Sequence, residues 1–60
     1  MRNYRLYLLD ASERIIKSEV VTVATDDEAG AEAARLGHPN PIEIWEGARK
    51  VALIRPTPNA

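Results

Sequence analysis

Few residues of this chain could do chemistry, and none has the company that chemistry needs. His38 is the only histidine. An imidazole serves as acid, base or metal ligand when a second group orients it. The chain has no cysteine, no second histidine and no serine in a nucleophile setting, so His38, between Gly37 and Pro39, reads as an exposed connector residue. Asp26, Asp27 and Glu28 could suggest a hard-cation site. Such a site needs oxygens converging from a loop of defined spacing, whereas three consecutive carboxylates fan out around a helix start. Asp10, Ser12 and Glu13 fit turn chemistry, in which Asp and Ser side chains bond nearby backbone groups. Gly30, Gly37 and Gly47 stand apart and form no phosphate-cradling loop. No catalytic residue, metal site or cofactor is expected, and a chain this small has little room for an enclosed pocket of the usual several hundred Å³.

The elements that position these residues follow from pattern. Tyr4-Arg5-Leu6-Tyr7-Leu8-Leu9 suits a pleated, half-buried surface and predicts a first strand. After the turn, Arg14 to Val23 is dense in β-branched residues and predicts a second. Its Ile15-Ile16 and Val20-Val21 pairs put apolar groups on both faces, which implies two-sided burial or a bulge near Glu19. Thr25-Asp26-Asp27-Glu28 matches a capping box, in which Thr and Glu satisfy each other's free N–H groups. Ala29, Ala33 and Leu36 then recur at helical spacing. Gly37 is placed to stop the helix and Pro39 reinforces the stop. Gly30 costs that helix about 1 kcal/mol against alanine. Ile42 to Glu46 alternates as a third strand, and Gly47 permits a tight hairpin into a fourth that starts at Ala48 or Arg49 and ends near Ile54. Pro56 and Pro58 leave 56–60 as an expected disordered tail.

The expected fold is therefore α+β, a single domain over residues 1–55 in the order ββαββ. One short helix packs on one face of a four-stranded antiparallel sheet, with strand order 2-1-3-4 under a right-handed crossover.

Composition narrows the function classes. The net charge is −1 over 60 residues and the isoelectric point is near 5.7, whereas a small nucleic-acid binder normally carries a basic excess. No apolar run approaches the length of a signal core or a membrane span, so a cytoplasmic location is expected, without membrane partners. Without cysteine no disulfide staples the core. Apolar burial of roughly 85–90 kcal/mol is nearly cancelled by an ordering cost of about 90 kcal/mol, so support from a partner or a second copy is reasonable.

The sheet carries the most informative surface. If Tyr4, Leu6, Leu8, Ile42 and Ile44 face the helix, then Arg5, Tyr7, Leu9, Glu43 and Trp45 face the other way. One helix cannot cover both faces of four strands. Tyr7, Leu9 and Trp45, with Ile15 and Val51 or Leu53, would then leave an apolar patch where antiparallel sheets are normally polar. Trp and Tyr bordered by Arg is the composition of a protein–protein contact. The expected interaction face is Arg5, Tyr7, Leu9, Trp45 and Arg49, serving a homodimer or a protein partner. The bland alternative lays the Arg5, Arg49 and Lys50 stems over the rings and leaves a wet face. Single-stranded nucleic acid stacked on the aromatics is disfavoured by the charge balance, and a ligand site would need a dimer interface to enclose it.

Tyr4-Arg5-Leu6-Tyr7-Leu8-Leu9-Asp10, Arg14-Ile15-Ile16, Asp26-Asp27-Glu28-Ala29 and Ile44-Trp45-Glu46-Gly47-Ala48-Arg49-Lys50-Val51 together resemble a family of short bacterial proteins of unknown function. The likeness runs to about Ile54. His38 to Pro41 and the proline-bearing tail depart from its shortest members. The resemblance implies no activity, cofactor or partner.

Overall fold

The computed structural model describes residues 1–55, and the expected tail at 56–60 lies outside them. Strand β1 spans Arg2–Leu9, β2 Ile15–Val23, helix α1 Asp26–Arg35, β3 Ile42–Glu46 and β4 Arg49–Ile54. The strands form one antiparallel sheet in the order β2-β1-β3-β4. The α+β, ββαββ architecture and the strand order are those the sequence predicts, with β1 beginning two residues earlier than the Tyr4 start.

Local chemistry explains each boundary. Asp10 Oδ1 accepts from the backbone N–H of Ser12 (2.8 Å) and Arg14 (2.9 Å), closing the β1–β2 turn. That turn holds Glu13 at φ 64°, a left-handed conformation that is costly for a residue with a Cβ. Between Glu46 and Arg49 the loop has two residues. Gly47, its first residue, has φ 59°, the pattern of a type II′ turn whose twist suits a hairpin.

At the helix start, the Thr25 hydroxyl accepts from the Glu28 N–H at 3.1 Å. The same hydroxyl also donates to the Glu28 carboxylate at 3.4 Å. Gly37 takes φ 66° just past the C-cap residue Leu36, as a left-handed stop requires. Leu36 departs from expectation: it lies beyond the last helical turn and is exposed. The buried helix stripe is therefore Ala29 and Ala33 alone, and alanines let α1 lie close to the sheet.

The core beneath the helix consists of Tyr4, Leu6, Leu8, Ala29, Ala33, Ile42 and Ile44. Every second residue of β1 and β3 points into it, as the period-2 pattern demands. The two outer strands depart from strict alternation. Leu8 pairs with Lys17 while Leu9 pairs with Ile15, so Ile16 is the extra residue of a bulge. The bulge thus sits at Ile16 and not near Glu19. Ile44 pairs with Ala52 while Trp45 pairs with Lys50, which makes Val51 the extra residue of a second bulge. That bulge lets both Val51 and Ala52 pack against the core, leaving Leu53 to oppose Glu43 on the other face. Among the described residues no helix is long and apolar enough to cross a membrane.

A Cβ placed at Gly30 has nothing within 4 Å, so Gly30→Ala is expected to stabilise the protein by about 0.5–1 kcal/mol through helix propensity and unfolded-state entropy. A rise in the urea midpoint at unchanged m-value checks this.

Candidate interaction face

The pairing registers lay out the sheet face that α1 leaves uncovered. Arg5 lies between Val20 on β2 and Trp45 on β3, and Trp45 lies next to Lys50 on β4. One step along, Tyr7 lies between Ser18 and Glu43, and Glu43 lies next to Leu53. Tyr7, Trp45 and Leu53 are half-buried, while Ile15 and Val20 are exposed. Tyr7, Ile15, Glu43, Trp45 and Gly47 line an open depression of about 360 Å³. A second, of about 290 Å³, runs past Asn3, Arg5, Tyr7 and Val20. Both stand open to solvent, so they offer a contact surface and do not enclose a small molecule.

Polar groups tie the aromatic centre of this face. The Trp45 indole Nε1 donates to Glu43 Oε1 at 3.0 Å, and Lys50 Nζ lies 3.8 Å from Glu43 Oε2. Glu43 thus stands inside the patch as a paired anion, with Arg5 on the neighbouring strand. Such a surface can hold a partner through ring area and a few oriented charges.

Three of the five residues expected on this face are brought together there: Arg5, Tyr7 and Trp45. Of the other two, Leu9 lies on that side of the sheet opposite Ile15 but is buried there, and Arg49 is placed elsewhere. Leu9 is 2% exposed and lies outside the cluster beneath the helix. The connector closes against its backbone, since the Leu9 N–H donates to the Pro41 carbonyl at 3.0 Å. His38 Nε2, 2.6 Å from the Leu9 carbonyl, donates to it as well. His38 is accordingly half-buried, in contrast to its expected exposure, because a ring following the helix stop folds back onto the end of β1.

Arg49 belongs to the opposite side. Its Nη2 donates to Glu46 Oε1 at 2.7 Å and to Asp26 Oδ1 at 3.1 Å. Arg2 grips Glu46 with two bonds of 2.6 Å and lies 5.7 Å above the Tyr4 ring. The Tyr4 hydroxyl donates to Asp26 Oδ1 at 2.6 Å. Two guanidiniums and two carboxylates thus form a neutral cluster that fastens the helix start to the β3–β4 hairpin.

The cluster perturbs its members as these contacts require. Bonds from Arg2 and then Arg49 pull the Glu46 carboxyl down to about 2. The Tyr4 and Arg49 bonds hold Asp26 below its ordinary range. Burial first, and the bond to Asp26 second, push the Tyr4 phenol up. With each charge paired inside the group, the cluster acts as a fastening between helix and hairpin. Sequence reasoning assigned Asp26 to capping and missed the cluster. The available signal was the period-2 continuation of the helix-facing set to Arg2 and Glu46.

Among the described residues no three His, Asp or Glu side chains gather as a metal site. No protein-family model, curated protein or solved structure matches the chain.

Proposed function

We propose that this chain is a small non-catalytic interaction domain of the cytoplasm that self-associates or binds a protein through the uncovered sheet face at Arg5, Tyr7 and Trp45. The observation that carries the reading is the clustering of Tyr7, Trp45, Ile15, Val20 and Leu53 on the face opposite α1. A sheet face facing only water is ordinarily polar, and exposed aromatic surface rimmed by charge is what protein contacts use. Base stacking on the same rings is the weaker reading. Glu43 occupies the aromatic centre, and the net charge of −1 supplies no field for phosphates. The resemblance to short bacterial proteins of unknown function assigns no activity that would compete with either.

Trp45→Ala and Tyr7→Ala test the proposal with the full chain as bait. Proteins retained by the wild type are expected to be lost from both variants. Acrylamide quenching of Trp45 emission is expected to fall when such a partner binds. Unchanged retention and unchanged self-association in both variants would end the reading. A salt-dependent mobility shift with single-stranded RNA would replace it with the nucleic-acid one.

A further inference from the structure

We propose that two copies of this chain join through the free edge of β2, antiparallel about a two-fold axis at Ser18, into one continuous eight-stranded sheet. The inference concerns the sheet's edge and does not rest on the open-face reading.

The sheet has two edges, and they are unlike. The β4 edge is six residues long, is bulged at Val51 and carries Arg49 and Lys50. Cations, bulges and short length are the usual guards against edge pairing. The β2 edge is nine residues long, with its own bulge at Ile16 close to one end. Ile16 and Val20 are each 60% exposed on it, and its one cation, Lys17, is offset by Glu19 at 3.2 Å. An unpaired row of backbone donors and acceptors beside exposed β-branched side chains is a template for another strand.

The sequence of β2 fixes which strand and which register. In an antiparallel pair, opposed residues share a sheet face, so the axis between two identical strands must fall on a residue. Centred on Ser18, the register sets Lys17 of each copy opposite Glu19 of the other, and Ile16 opposite Val20. Both charges and both exposed apolar residues then find complements in a single arrangement. Centring on Lys17 stacks lysine on lysine, and centring on Glu19 stacks glutamate on glutamate. Centring on Val20 or Val21 leaves Glu19 facing a valine. Opposite charges directly across a ladder stabilise it and like charges destabilise it, so the Ser18 register is selected. The bulge at Ile16 limits the new ladder to residues 16–20 of each copy. Both helices then lie on the same side, and the two open faces run together on the other.

Light scattering on the full chain across a concentration range tests the proposal, with a dimer mass expected for the wild type. Lys17→Glu alone, or Glu19→Lys alone, puts like charges opposite at two symmetric places and is expected to weaken the dimer by about tenfold or more. Both changes together restore the complement and the dimer mass, which also shows that the substituted chain folds. The chain contains no cysteine. Opposed residues have Cα atoms about 4.5–5.5 Å apart, within the reach of a disulfide. Ser18→Cys is therefore expected to form an interchain disulfide on mild oxidation. Thr22→Cys is not, because its two copies would sit roughly 26 Å apart along the strands. A wild type that stays monomeric at the highest concentration overturns the proposal. So does a dimer that survives both single reversals, or one that Trp45→Ala dissociates while Lys17→Glu leaves it intact. That last result would assign the contact to the open face.

Discussion

Leu6→Ala is expected to remove a large part of this chain's folding stability. Leu6 is fully buried, at the centre of the strand that pairs on both sides, and it opposes the equally buried Ile44. Truncating a buried leucine to alanine costs about 2–5 kcal/mol, the spread reflecting how far the neighbours can collapse into the space. Alanines supply the buried helix residues above it, and they have no longer side chain to swing into the hole. A 60-residue domain typically holds only about 3–9 kcal/mol of folding stability, so this one change removes a large part of it. Urea unfolding followed by circular dichroism measures the loss. Leu9→Ala carries a cost of the same kind, since Leu9 is 2% exposed. Tyr7→Ala, at a half-buried position, is expected to cost less than either. A Leu9→Ala protein as stable as the wild type would return Leu9 to the exposed face.

Acid is expected to loosen the fastening between α1 and the β3–β4 hairpin, within a window set by Glu46. Arg2 and Arg49 lower the Glu46 carboxyl from an ordinary 4.5 to about 2 in the folded protein. A carboxyl depressed on folding stabilises the native state fully above its unfolded value. That contribution is lost as pH falls from about 4.5 toward about 2. Asp26, depressed by Tyr4 and Arg49, shifts stability in the same direction. Thermal midpoints measured down this range should therefore drop steeply for the wild type. Glu46→Gln should begin lower at neutral pH and fall less steeply, because it has one fewer proton to take up. All the charged members are partly solvent-exposed, so added salt should flatten the difference. Parallel curves for the two proteins would show that the cluster contributes nothing through Glu46.

Whatever depends on neighbours along the chain was legible in the sequence. The alternation in 4–9 and 42–46 set strands with an apolar side, the Thr25 hydroxyl and Gly37 bounded the helix, and Asp10 and Gly47 closed the two hairpin turns. The alternations run over six and five residues and the caps and turns over no more, so each is visible in a short window. The order expected from two hairpins joined by a crossover, β2-β1-β3-β4, is the one the structure has.

Which side chains share a face with which was set by contacts between residues far apart in the chain. A bulge inserts one residue and reverses the alternation beyond it. The one at Val51 brought Ala52 inward beside Val51 and left Leu53 outward, which no count of apolar residues foretells. Arg49 went to Asp26 and Glu46 because the hairpin brings its end over the helix start. Leu9 was buried while His38 and Pro41 bonded its backbone from some thirty residues away in sequence. Local pattern thus chose the elements and their order. The long-range contacts chose the composition of the open face, because charge pairing and burial act through space and are indifferent to separation along the chain.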